Sequence, residues 1–225
     1  MIKISQASPA ILNNRFYAFS KEAVGGVHKD KNYVVSQLKQ YQKQYCRLGI
    51  MDVFCDKASK LADSLAKNNQ RDFAGMIYSN LLKFPMLKPQ FKEKIAIRAL
   101  EIAEVQGDFV HALARLVDLK MLYRDLGMKK HYAEILLKEE KLLKKIIKDY
   151  PSSKVRFKSV SRQIQPVETY TLKMAMTKVD IAKGILRRNP NAALTRLQAA
   201  REIFVQFNRT KEINFVDKLL SQIAS

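Results

Sequence analysis

The chain has 225 residues, 47% of them apolar and 28% charged, a globular composition that excludes an intrinsically disordered chain. With only 7 Gly and 6 Pro it is short of the turn residues that a sandwich or barrel needs, which argues against an all-β fold. Lys and Arg number 41 against 21 Asp and Glu, a formal charge of +20, and no apolar run approaches the length of a membrane span.

Residues 1–28 open the chain without a continuous apolar stretch, so no secretory signal is read there. The segment lacks acids until Glu22 and is rich in Ser, Asn and Ile. It is expected to be a loosely attached terminus, with an organelle presequence or an unfolded bacterial export signal as alternatives. Helical periodicity then dominates. Val34, Leu38, Tyr41, Tyr45 and Leu48 mark one face of a helix over about 30–48, and Val53, Phe54, Ala58, Leu61, Ala62 and Leu65 continue it over 50–67. Lys67-Asn68-Asn69-Gln70 reads as a turn, and a helix over 71–84 ends at Phe84-Pro85. Pro89 can open the next helix, whose inner face is Phe91, Ile95, Ala99, Ile102 and Ala103. Gly107-Asp108 ends that helix and starts another, which carries Phe109, Leu113, Leu116, Leu119 and Tyr123 and runs to Gly127.

Residues 129–150 carry the cleanest stripe. Tyr132, Ile135, Leu136, Leu142, Leu143, Ile146, Ile147 and Tyr150 fall on one face, and Lys138, Lys141, Lys144, Lys145 and Lys148 fall opposite. The lysines read as a solvated face partly offset by Glu134, Glu139 and Glu140, and Glu101, Glu104, Glu139 and Glu140 read as ordinary surface acids. The helical pattern lapses over 151–166, a basic linker in which Lys154 to Lys158 alternate as in a short strand or extended loop. Helices resume at 167–188, 190–207 and 209–223, and Asn189-Pro190 is a well-formed helix start. The tally is eight to ten helices in consecutive antiparallel pairs with short connections. The expected organisation is a loose segment over 1–28, a helical core over 29–150, the linker, and a three-helix subdomain over 167–225 packed on that core.

Charge is unevenly distributed. Residues 1–50 carry 8 basic and 2 acidic residues, and 151–200 carry 10 and 2, whereas 101–150 are nearly balanced at 10 and 9. This asymmetry points to an anionic partner for the first and fourth blocks. The candidate contact residues are Lys39, Lys43 and Arg47, spaced four apart along one helix edge, then Lys154, Arg156, Phe157, Lys158 and Arg162 in the linker, and Arg187 and Arg188 before the Asn189 turn, with Arg196 and Arg201 after it. They would hold an acidic or carboxylate-ended peptide, or neutralise phosphates while Phe157 stacks on a base; a plain solvated basic surface is the third reading. Cys46 and Cys55 fit no zinc spacing and no disulfide framework, and read as small core residues of a protein in a reducing, cytoplasmic compartment. His28, His111 and His131 have no second ligand at a metal-binding spacing, no glycine-rich phosphate loop and no G-x-S-x-G occurs, and so no metal, cofactor or catalytic residue is expected.

Gln106-Gly107-Asp108-Phe109-Val110-His111-Ala112-Leu113 resembles the turn between the two helices of a tetratricopeptide repeat, which reads Gly, Asp or Asn, an aromatic, two variable residues, Ala and an aliphatic. Ala99 and Ala103 fit that family's close helix crossing. Asn189-Pro190-Asn191-Ala192-Ala193-Leu194 echoes the turn more weakly, and Asn69 to Phe73 more weakly still. Against the pattern, the chain has no Trp, lacks a Pro after Leu119, and spaces Gly107 and Asn189 by an interval that is no multiple of the family's period. The resemblance implies an all-α right-handed stack of helix pairs with a concave groove. The expected function is a non-catalytic binding scaffold, adaptor or chaperone-like carrier that takes a peptide segment of a partner protein into a basic groove. The alternatives are a sequence-tolerant nucleic-acid-binding or regulatory protein using 1–50 and 151–200, and a secreted bacterial effector.

Overall fold

The computed structural model describes residues 8–26, 30–84, 87–150 and 166–224. Ten helices and no strand lie among them: α1 (Pro9–Val24), α2 (Lys31–Arg47), α3 (Met51–Lys67), α4 (Arg71–Leu81), α5 (Pro89–Gln106), α6 (Phe109–Asp125), α7 (Lys129–Asp149), α8 (Val167–Ile185), α9 (Pro190–Gln206) and α10 (Thr210–Ala224). None is long and apolar enough to cross a membrane. The chain is all-α, with sequence-adjacent helices packed on each other. The basic stretch 151–165, read as a strand-like or extended linker, lies outside the described residues.

Two compact units form, Met1–Ile102 and Ala103–Ser225, so the boundary falls inside α5 and not at the linker. In the first unit α1, α2 and α3 pack mutually and α4 packs on α3. Part of the terminus expected to be loosely attached is therefore core. Ser8 caps α1 by accepting a hydrogen bond from the Ile11 amide, Pro9 occupies the first turn, and Leu12, Phe16, Phe19 and Ala23 are buried at steps of four, three and four. Phe16 meets Phe19, Tyr41, Tyr45 and Phe54 at ring separations of 5.1–6.2 Å. The Tyr45 hydroxyl, fully buried, donates to Asn13 Oδ1 at 2.8 Å, and burial pushes it up to about 12. The Tyr78 hydroxyl likewise donates to Asp63, so both of these buried tyrosines have their polar ends satisfied. Of the two thiols expected in a core, Cys55 is buried, which raises it to about 11, but Cys46 lies on the exposed side of α2.

In the second unit α6 packs on α7, α7 on α8, α8 on α9 and α9 on α10, each connection but the one across 150–166 being a few residues long. Ala175, Ala182, Ala193 and Ala200 are all fully buried between α8 and α9, where small side chains allow a close crossing, with Val179, Leu197, Phe204 and Val216 around them. Leu113, Leu143, Ile146 and Tyr170 form a second cluster.

One closing device recurs. The amides of Ile50, Gln70, Asp108, Met128 and Arg209 each donate to a carbonyl five residues back, at 2.8–3.0 Å. The preceding residues, Gly49, Asn69, Gly107, Gly127 and Asn208, all have φ between 53° and 69°. This is a Schellman ending; Gly suits the left-handed residue because it has no Cβ to meet the next carbonyl, and Asn tolerates it because its short polar side chain can hydrogen-bond locally. After Gly107, Asp108 caps α6 by accepting from the His111 amide at 3.1 Å, and Ala112 is fully buried. His111 is half-buried and places Nδ1 2.6 Å from Asp108 Oδ2.

Gly107→Val is therefore expected to lower stability in urea unfolding by about 1–2 kcal/mol, whereas Asn69→Gly leaves it unchanged or slightly raised. Equal stability of Gly107→Val and the parent chain would contradict the left-handed turn.

Candidate functional site

Two sites are built by the helices, one in each unit. In the first, α2, α3 and α4 leave a cleft of about 330 Å3 between them. Its floor is Val35, Leu38, Phe54, Ala58, Ile77, Leu81 and Phe84, and its polar members are Lys39, Gln42, Asn80 and Lys83. Sequence periodicity explains this lining. Leu38 and Phe54 belong to the stripes that build the core, and Val35 and Lys39, one turn apart on α2, border Leu38. The side chains of Lys39, Lys83, Gln42 and Asn80 have no hydrogen-bond or ion-pair partner among the described residues. An apolar pocket with a few convergent, unused polar groups is the usual form of a ligand site. Here those groups are two cations and two amides, so they suit an apolar segment that carries a carboxylate.

Lys39, Lys43 and Arg47 are all exposed on α2, as their spacing implies, but only Lys39 lines the cleft. Lys83, after α4, was not singled out; its signal was its place beside Phe84 at the end of an amphipathic helix. Arg187 and Arg188 are exposed at the turn between α8 and α9 and belong to the second unit. Lys154, Arg156, Phe157, Lys158 and Arg162 lie outside the described residues. Arg196 and Arg201 are not part of a free basic surface. Arg201 holds Asp217 of α10 with Nε 2.6 Å and Nη2 3.3 Å from its carboxylate, and Arg196 turns inward.

The inward site is a charge hub. Glu139 and Glu140, read as surface acids, are 0% and 4% exposed. The physical reason is the 100° helical step: both fall on the arc of α7 that also holds Leu136, Leu143 and Ile146. Glu139 Oε2 lies 2.7 Å from Lys120 Nζ of α6, and its Oε1 lies 3.9 Å from Lys173 Nζ of α8. Glu140 takes Lys178 Nζ of α8 at 3.2 Å, Arg196 Nη1 of α9 at 2.7 Å, and Lys144 Nζ of its own helix at 3.1 Å. Burial raises the Glu140 carboxyl, but the hydrogen bonds from Arg196, Lys144 and Lys178 outweigh this and hold it down at about 2. Around Glu139 the balance differs. Lys173 is lowered by burial and by Lys120 against the pull of Glu139, and Asp180 is raised by burial and by Glu139 against Lys120, Lys183 and Arg124. Glu139 Oε1 has no hydrogen-bond partner among the described residues. The hub ties α6, α7, α8 and α9 together through paired buried charges, so it reads as architecture.

No protein-family model matches the chain, and no curated protein matches it.

Removing a partner from a buried ion pair leaves the other charge stranded, so Glu140→Ala should destabilise the second unit by about 3–5 kcal/mol at pH 7. The pH dependence has a fixed sign. A carboxyl lowered in the folded state contributes stability above its unfolded value and loses it as pH falls through the folded value. Unfolding free energy should therefore decline from about pH 4.5 toward pH 2 in the parent chain, and Glu140→Gln should flatten that limb. An unchanged acid limb in Glu140→Gln would contradict the hub.

Proposed function

We propose that this chain is a binding module and not an enzyme, and that its first unit captures a segment of a partner protein in the cleft between α2, α3 and α4. The observation that carries this reading is the pairing of an apolar floor with Lys39 and Lys83, two cations that no acid of the described chain engages. The occupant is a short peptide segment with apolar side chains and an acidic group, a free C-terminal carboxylate above all. Apolar contacts supply affinity, and the lysines with Gln42 and Asn80 fix orientation and register. The net charge of +20 steers acidic partners toward the protein at low salt.

The wider scaffold supports the same reading. Helix pairs closed by one repeated turn, with alanines at close crossings, favour a degenerate helical repeat of tetratricopeptide type, an architecture suited to presenting peptide clefts. Arg187 and Arg188 are a second exposed basic point, independent of the cleft.

The test is selection from a library that displays random C-terminal peptides, followed by fluorescence anisotropy on the winners. Enriched peptides should end in apolar residues with a free carboxylate. Amidation of that carboxylate, or Lys39→Glu with Lys83→Glu, should weaken binding about 10- to 100-fold, the loss of one or two charge-assisted hydrogen bonds. No enrichment, or equal binding of acid and amide, would overturn the proposal.

A further inference from the structure

Burying Glu139 and Glu140 changes what the outside of α7 presents. Taken at 100° per residue, Lys130, Lys138, Lys141, Lys145 and Lys148 lie within one arc of about 90° on the side away from Leu136, Leu143 and Ile146. All are exposed. The acids that would have offset them along the sequence point inward and are already engaged by Lys120, Lys178 and Arg196. Glu134 is the one exposed acid on the outer line, one turn before Lys138, and Asp149 is a half-buried acid at its edge. Lys138, Lys141 and Lys148 have no ion pair among the described residues, and Lys145 Nζ sits 4.5 Å from the centre of the Phe109 ring. The block 101–150, nearly balanced in sequence at 10 basic and 9 acidic residues, thus carries a cationic line in space.

We propose that this outer line of α7 is a binding surface for the phosphate backbone of a nucleic acid, read without regard to sequence. From Lys138 to Lys148 the helix rises about 15 Å, with a cation every turn or less. One strand of nucleic acid places a phosphate about every 3.4 Å along its axis, so the line faces roughly four or five phosphates. A regular row of point charges suits a regular linear polyanion. The outward face of α7 holds no Asn, Gln or Arg that could pair with a base edge, so it positions a backbone and reads no bases. It also holds a single exposed large apolar residue, Leu137, at 51%, which is too little for the insertion that anchors a helix in a membrane surface. The surface belongs to the second unit and is independent of the peptide cleft in the first.

The experiment measures binding of a fluorescein-labelled 20-nucleotide oligothymidylate across 50–300 mM salt, with vesicles containing phosphatidylserine as a second probe. The full chain is expected to bind the oligonucleotide with a steep salt dependence. The triple variant Lys138→Gln, Lys141→Gln, Lys148→Gln should bind about 10- to 100-fold more weakly at 100 mM salt, with a log–log slope smaller by about 2. The triple Lys→Arg variant at the same positions should keep both affinity and slope. All three side chains are exposed, and parallel melting curves check that the fold is kept. The proposal is overturned if the parent chain does not bind the oligonucleotide at 50 mM salt, if the glutamine variant keeps the parental affinity and slope, or if the chain binds the vesicles but not the oligonucleotide.

Discussion

Two neighbouring carboxylates on the apolar face of one helix organise the second unit. Adjacent residues on a helix point about 100° apart, so Glu139 and Glu140 reach different sets of cations. Glu139 faces α6 and the start of the α8 contact, and Glu140 faces α8 and α9. Each charge is taken from water, and only close cations make that tolerable. The apolar clusters on either side, built largely from Ala, Leu, Ile and Val, are non-directional and would accept several registers. The hub accepts one, because a slip of any helix by a turn would leave a carboxylate stranded.

The same arrangement sorts the charge of the unit into an inside and an outside. Lys120, Lys173, Lys178 and Arg196 are spent on the interior, while the outer lysines of α7 keep their charge for solvent or a partner. The first unit is built differently. Its core is aromatic, with Phe16 at the centre of four ring contacts, and the hydroxyls of Tyr45 and Tyr78 donate to Asn13 and Asp63. Its uncommitted polar groups gather instead at an apolar cleft. Each unit therefore offers cations without an ion pair among the described residues, Lys39 and Lys83 at the cleft of the first and Lys138, Lys141 and Lys148 on α7 of the second.

Most of the fold was legible because amphipathic periodicity and Gly, Asn and Pro punctuation are local. The helices from α2 to α10 and their turns at Asn69, Gly107, Gly127 and Asn189 follow from such signals. The first helix was hidden by its composition: Ser, Asn and the absence of acids look like a frayed end, although Ser8-Pro9 and the spacing of Leu12, Phe16, Phe19 and Ala23 carry a helix start and an inner face. The unit boundary within α5 leaves no local mark, since it depends on which contacts a continuous helix makes along its length. At the candidate sites, Lys39 was legible from its spacing, but its distinction from Lys43 and Arg47 needed the cleft. Glu139 and Glu140 were misread because charge type was weighed above helical phase. Arg196 and Arg201 were counted as free basic surface because their acids, Glu140 and Asp217, are distant in sequence or on another helix.

The hub itself is most directly tested by carbon-13 NMR titration of the glutamate side-chain carboxyls in the full chain, assigned by Glu139→Gln and Glu140→Gln. The Glu140 carboxyl is expected to titrate near 2, well below the ordinary glutamate value of about 4.3. A Glu140 carboxyl titrating at that ordinary value would contradict the hub.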